Sequence, residues 1–180
     1  TLSAFQQFQA SGAKVVCLAS GGKLIDAAKA NGYDYIQLPG GSPSPRACLG
    51  YSLVQQLWIL NKLGLIGNDL LDQIRSSAEL LSANQEAIKE HAEQLARLLF
   101  DKIPMIYSVD RLEPVAVRMR QQLNENGKML CWHHVIPEMN HNELVGWRTE
   151  NPDYAAIFLR SGVESERNQL RTTLTKEVVE

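Results

Sequence analysis

The sequence is short of cysteine, of net charge and of long apolar runs. Its three thiols, Cys17, Cys48 and Cys131, are an odd number, widely spaced, and each lies within an apolar segment. That pattern argues against a disulfide framework and lacks the close spacing of metal ligands. Reduced core thiols of a cytoplasmic protein are the expectation. A formal charge of −2 offers no basic footprint, so neither nucleic acid nor an acidic membrane surface is expected as a partner. No apolar run nears the ~20 residues of a membrane-spanning helix, and no signal-peptide pattern opens the chain. Repeats of short period and low-complexity tracts are also missing.

What is present is an ordinary globular composition, 44% apolar and 21% charged over 180 residues. Leu2, Phe5 and Phe8 recur at helical spacing. Lys14–Ala19 then reads as a strand covered on both faces, Leu24, Ala27 and Ala28 as a helix, and Tyr35–Leu38 as a second strand. Strand, glycine turn, helix and strand in that order make a right-handed βαβ unit. Residues 39–45 form a proline- and glycine-rich loop, and Arg46 stands at the mouth of a helix through Leu49, Leu53, Leu57 and Leu60.

Residues 69–100 carry a helical period, with Leu80, Ile88, Leu95, Leu98 and Leu99 predicted on the buried side. A second α/β pattern follows. It has strands at 103–109, 129–134 and 154–159, a helix opened by Pro114, and a charged helix from about residue 164. The fold class expected is therefore α/β with parallel sheets.

Polar chemistry concentrates at two places. Glu125 lies in Asn124-Glu-Asn-Gly127 at a predicted helix C-terminus. Sixteen residues on, His141 lies in Glu138-Met-Asn-His-Asn-Glu143. A core has no use for Asn-His-Asn-Glu on a buried face, so this cluster is expected on a loop. Glu125 and His141 together could supply acid/base chemistry. Taken alone, each also reads as a solvated side chain. Glu138 and Glu143 are expected to support the site rather than to act as a second base.

His133 and His134 are adjacent on a strand and point to opposite faces, which disfavours a zinc reading. His91 is expected at the surface. Trp58, Trp132 and Trp147 are expected in the core or at a subunit interface. Ser20-Gly21-Gly22, where a strand hands over to a helix, is placed to meet an anion. It lacks the spacing of a nucleotide-binding fingerprint.

These residues resemble the bifunctional phosphoglucose/phosphomannose isomerase family, built from two sugar-isomerase (SIS) domains. The resemblance rests on Ala19-Ser-Gly-Gly-Lys-Leu24, Leu38-Pro39 with Pro45-Arg-Ala47, Pro114-Val-Ala-Val-Arg118, Leu123-Asn-Glu-Asn126, and Glu138-Met-Asn-His-Asn-Glu143 with Gly146-Trp147. The last two motifs are the specific ones.

It implies three-layer α-β-α SIS domains with parallel sheets, two per full-length chain. Residues 1–66 would be the C-terminal part of the first, 67–101 a helical connector and 102–180 the second. The family's phosphate-binding loop and its C-terminal lysine segment would lie outside these residues.

The implied activity is interconversion of glucose 6-phosphate and fructose 6-phosphate, with mannose 6-phosphate also accepted. It proceeds through a cis-enediol without metal or other cofactor. In this role Glu125 would move the proton between C1 and C2, and His141, donated across a homodimer interface, would help open the ring. Arg46 would contact substrate and stabilise enediolate charge, with Ser20 and Gly21 near the substrate. The alternative is a non-catalytic SIS module that binds a sugar phosphate for regulation.

Overall fold

Two parallel sheets organise the chain, described here from a computed structural model over residues 1–42 and 44–180; Pro43, within the expected 39–45 loop, lies outside the described residues. In chain order the elements are α1 (Leu2–Ala10), β1 (Val16–Ala19), α2 (Lys23–Ala30), β2 (Asp34–Gln37), α3 (Leu49–Lys62), α4 (Asp69–Ala83), α5 (Gln85–Leu98), β3 (Ile103–Ser108), α6 (Glu113–Glu125), β4 (Trp132–Val135), α7 (Ile136–Asn142), β5 (Tyr154–Leu159) and α8 (Glu166–Val179). They fall into two units, Thr1–Gln85 and Glu86–Glu180.

In the first unit β1 pairs with β2 in parallel, Val16 opposite Asp34, with α2 as the crossover. Phe5 of α1, Cys17 of β1 and Ala28 of α2 form its core, and Tyr33 meets Phe5 edge-on with ring centroids 5.6 Å apart. The turn from β1 into α2 needs its glycines. Gly21 (φ 155°) and Gly22 (φ 73°) hold backbone conformations that L side chains rarely adopt.

In the second unit the strand order is β4-β3-β5, all parallel. Alternation along the strands divides its core into two layers. Ile106, Ile157 and Leu159 face α6 and pack with Ala116, Met119, Leu123 and Cys131. Met105, Tyr107, Ala156 and Phe158 face the other way and pack with Ile136, Met139, Leu144, Trp147 and Val179. The sheet is thus sandwiched between α6 on one face and α7 with α8 on the other, as the α/β expectation requires. All three cysteines are free. Cys17 and Cys131 are buried, which raises both thiol pKa values, whereas Cys48 is half-buried.

Several expectations need correction. The polar cluster at 138–143 is mostly helix, not loop: α7 runs to Asn142. Pro137 opens it, and Ile136 and Met139, three apart, are fully buried. Its polar residues find partners without burial cost. Asn140 Nδ2 donates to Thr175 Oγ1 at 2.7 Å, and Asn142 Nδ2 donates to Glu138 Oε1 at 2.9 Å, while His141 faces water.

The 69–100 stretch is two helices broken at Asn84. Of its predicted apolar side, Leu80, Ile88 and Leu98 are 65%, 45% and 73% exposed; only Leu99 is buried, and Leu95 half so. A helical period marks a face but does not supply the surface that covers it. The strand expected at 129–134 begins at Trp132. Of the three tryptophans Trp147 packs into a core, while Trp58 and Trp132 are 42% and 45% exposed in this chain.

Candidate functional site

Glu125 is the last residue of α6 and is exposed. Pro114 starts that helix, and Ala116, Met119 and Leu123 dock it on the sheet. The chain then turns back toward β4. Lys128, at φ 56°, donates from Nζ to the Glu125 carbonyl at 2.6 Å. Asn124 Nδ2 donates to the carbonyls of Met129 (2.9 Å) and Cys131 (3.3 Å). The segment carrying Glu125 is therefore tied down on both sides by backbone acceptors.

His141 is exposed on α7. Because α6 and α7 cover opposite faces of the same sheet, the structure does not bring Glu125 and His141 of one chain together.

Beneath α7 lies a polar network that spacing alone did not reveal. Glu143, just past the helix end, accepts from Tyr107 Oη at 3.0 Å through one carboxylate oxygen. Through the other it accepts from His134 Nδ1 at 2.5 Å. Trp147 Nε1 donates to the same tyrosine oxygen at 2.9 Å. Tyr107 is fully buried, and that burial, reinforced by the Glu143 charge, raises its phenol pKa well above the ordinary range, outweighing the opposing Trp147 hydrogen bond. An open cleft of about 200 Å³ adjoins the network, walled by Met105, Trp147 and Tyr154.

His133, on the other face as expected, approaches Glu113 of α6 at 3.8 Å. The available signals were two: Tyr107 supplies a hydroxyl within an apolar strand, and strand alternation sends His134 to the α7 face.

In the first unit Arg46 is half-buried in a short 3-10 turn, Pro45–Cys48, that leads into α3. Ser20 is exposed in the β1–α2 turn, and its carbonyl accepts from Gln37 Nε2 at 3.2 Å. Gly21 follows it, and the same Gln37 amide lies 4.0 Å from where a Cβ on Gly21 would stand. Among the described residues no group of three or more His, Cys, Asp and Glu side chains is placed to hold a metal ion, and no helix is long and apolar enough to cross a membrane.

The chain is similar to several known proteins. A bifunctional phosphoglucose/phosphomannose isomerase of Caldicellulosiruptor bescii is 36% identical over 99% of the chain and 56% of that protein. A D-glucosamine-6-phosphate 4-epimerase of Sulfolobus acidocaldarius is 32% identical over 80% of the chain and 45% of that protein. The chain spans about half the length of the curated relatives it matches. A crystal structure from Clostridium difficile 630, described as a phosphosugar isomerase, shares the fold with a TM-score of 0.65 at 18% identity, over 96% of this chain and 51% of that one. Residues 88–180, more than half of the chain, match the model of the bacterial phospho-glucose isomerase C-terminal SIS domain, and the chain belongs to that family.

Proposed function

We propose that the chain carries the chemistry of an aldose–ketose isomerase acting on glucose 6-phosphate and fructose 6-phosphate, and on mannose 6-phosphate as well. The observation that supports this most directly is the fate of its two specific motifs. Glu125 and His141 are both solvent-facing at element ends, on segments anchored by other residues, so neither is consumed by the core.

In this reading the Glu125 carboxylate takes the proton from C2 of the open-chain aldose. A cis-enediolate forms, its one hydroxyl proton passes from O2 to O1, and the carboxylic acid returns its proton at C1. One carboxylate serves both carbons because it stays within hydrogen-bond reach of each. His141 protonates and deprotonates the ring oxygen and anomeric hydroxyl during ring opening, and Arg46 balances charge on the enediolate. Ser20 and Gly21 offer polar backbone and side-chain groups to the substrate.

In this reading His141 serves the site of a homodimer partner, which is supported by its place across the sheet from Glu125 of its own chain. Residues 1–66 complete a first SIS domain, 67–101 connect, and 102–180 belong to the second. The setting is cytoplasmic carbohydrate metabolism, at the step shared by glycolysis and gluconeogenesis.

A second reading keeps the sugar-phosphate substrate and changes the reaction. The relative described as a glucosamine 6-phosphate epimerase favours it. A coupled assay for glucose 6-phosphate formed from fructose 6-phosphate, run beside Glu125→Gln, separates the two. Activity lost only in the variant supports the isomerase. No turnover by the unmodified protein, with conversion of an amino-sugar phosphate instead, supports the other.

A further inference from the structure

We infer that Glu143 is a positioning residue for His141, a role that rests on the ring-opening assignment of His141 above. His141 projects from a seven-residue helix, too short to hold its own geometry in water. Its place is set by what α7 is fastened to. Ile136 and Met139 bury its underside, and Asn140 fastens one flank to Thr175 of α8.

Its C-terminal end is fastened by Glu143 alone among these, two residues beyond His141. The Glu143 amide donates to the Met139 carbonyl at 2.9 Å, and so belongs to the last turn of the helix. Its carboxylate reaches two neighbouring strands at once, Tyr107 on β3 and His134 on β4. A carboxylate accepts but does not donate, so His134 Nδ1 carries the proton in that contact. Trp147, four residues further on, returns to the same Tyr107 oxygen. Residues 143–147 are thus pinned at both ends to one buried hydroxyl. With both its oxygens engaged and its side chain two-thirds covered, Glu143 is built to hold rather than to exchange protons with substrate.

The test uses Glu143→Gln and Tyr107→Phe in the full chain, with His141→Ala as reference. A catalytic group displaced by about 1 Å loses on the order of 100-fold in rate. Glu143→Gln is therefore expected to lower kcat on fructose 6-phosphate by on the order of 100-fold with KM unchanged. Tyr107→Phe, which retains the ring, should give a smaller fall in the same direction. Adding Glu143→Gln to His141→Ala should cost nothing further, since both remove one function. A role confined to stability predicts independent effects instead.

A second readout is free of activity. The ring resonance of His141, identified among the four histidines by its loss in His141→Ala, should shift or broaden in folded Glu143→Gln. A folded Glu143→Gln protein with unperturbed kcat, or with an unperturbed His141 resonance, overturns the inference. If the unmodified protein shows no isomerase activity, the functional reading fails by itself and the resonance alone decides the positioning role.

Discussion

Glu125 and His141, sixteen positions apart in sequence, stand on helices that cover opposite faces of one three-stranded parallel sheet. Ile106 and Ile157 point toward the helix of the first, Tyr107 and Phe158 toward the helix of the second. Under the proposed function, in which both groups work on one sugar phosphate, each chain would supply Glu125 to one site and His141 to another.

Mixed dimers test that arrangement. Glu125→Gln and His141→Ala are each expected to be inactive alone. When the two are unfolded together and refolded in equal amounts, half of the dimers contain both variants. One of the two sites in such a dimer then has both residues intact, so about a quarter of the unmodified activity returns by closed two-fold symmetry. No recovery from two individually folded, dimeric variants contradicts the exchange.

The Tyr107 network is expected to matter for stability as well as for placement. Tyr107→Phe leaves Glu143 with one partner fewer and strips the indole nitrogen of Trp147 of its acceptor. An unsatisfied buried polar group costs about 1–3 kcal/mol. The urea midpoint should fall accordingly with an unchanged m-value, since the packed ring remains. An unshifted midpoint would show that water replaces the lost partners without cost.

Alkaline pH should find the same residue. The folded-state pKa of Tyr107 lies above its ordinary value of 10.0, chiefly because burial disfavours the phenolate. The neutral phenol is thus the form the fold favours. Its contribution to stability is complete below about pH 10 and is lost as pH rises through the elevated folded value. In an ultraviolet titration, one of the five tyrosines should ionise only as the protein unfolds, and Tyr107→Phe should remove that late component. A full five-tyrosine titration with the fold intact would contradict the buried phenol.

Much of the fold was legible because local pattern and tertiary surroundings agree. Apolar runs at Val16–Ala19 and Ile103–Ser108 became strands, the second covered on both faces, and Pro114 does open α6. The errors lie where distant partners decide. Asn140 sits on a helix because Thr175, 35 positions away, receives its amide, and Glu143 is held by Tyr107, 36 positions away. No local window contains either partner. The exposed Leu80 and Leu98 fail for the converse reason: their period predicts a buried face, and no residue of α4 or α5 is buried. The motif residues Glu125 and His141 were legible as polar clusters, whereas the network beneath α7 required the register that sets His134 beside Tyr107.

In the proposed reaction Glu125 moves the proton between the two carbons. Its most direct measurement is exchange of the C2 proton of glucose 6-phosphate with solvent deuterium, followed by NMR for the unmodified protein and Glu125→Gln, with sugar-phosphate binding measured alongside. A positioned base contributes about 10²–10⁴-fold. Exchange is expected to fall by at least that much in the variant while binding persists. Exchange at the unmodified rate in Glu125→Gln would contradict it.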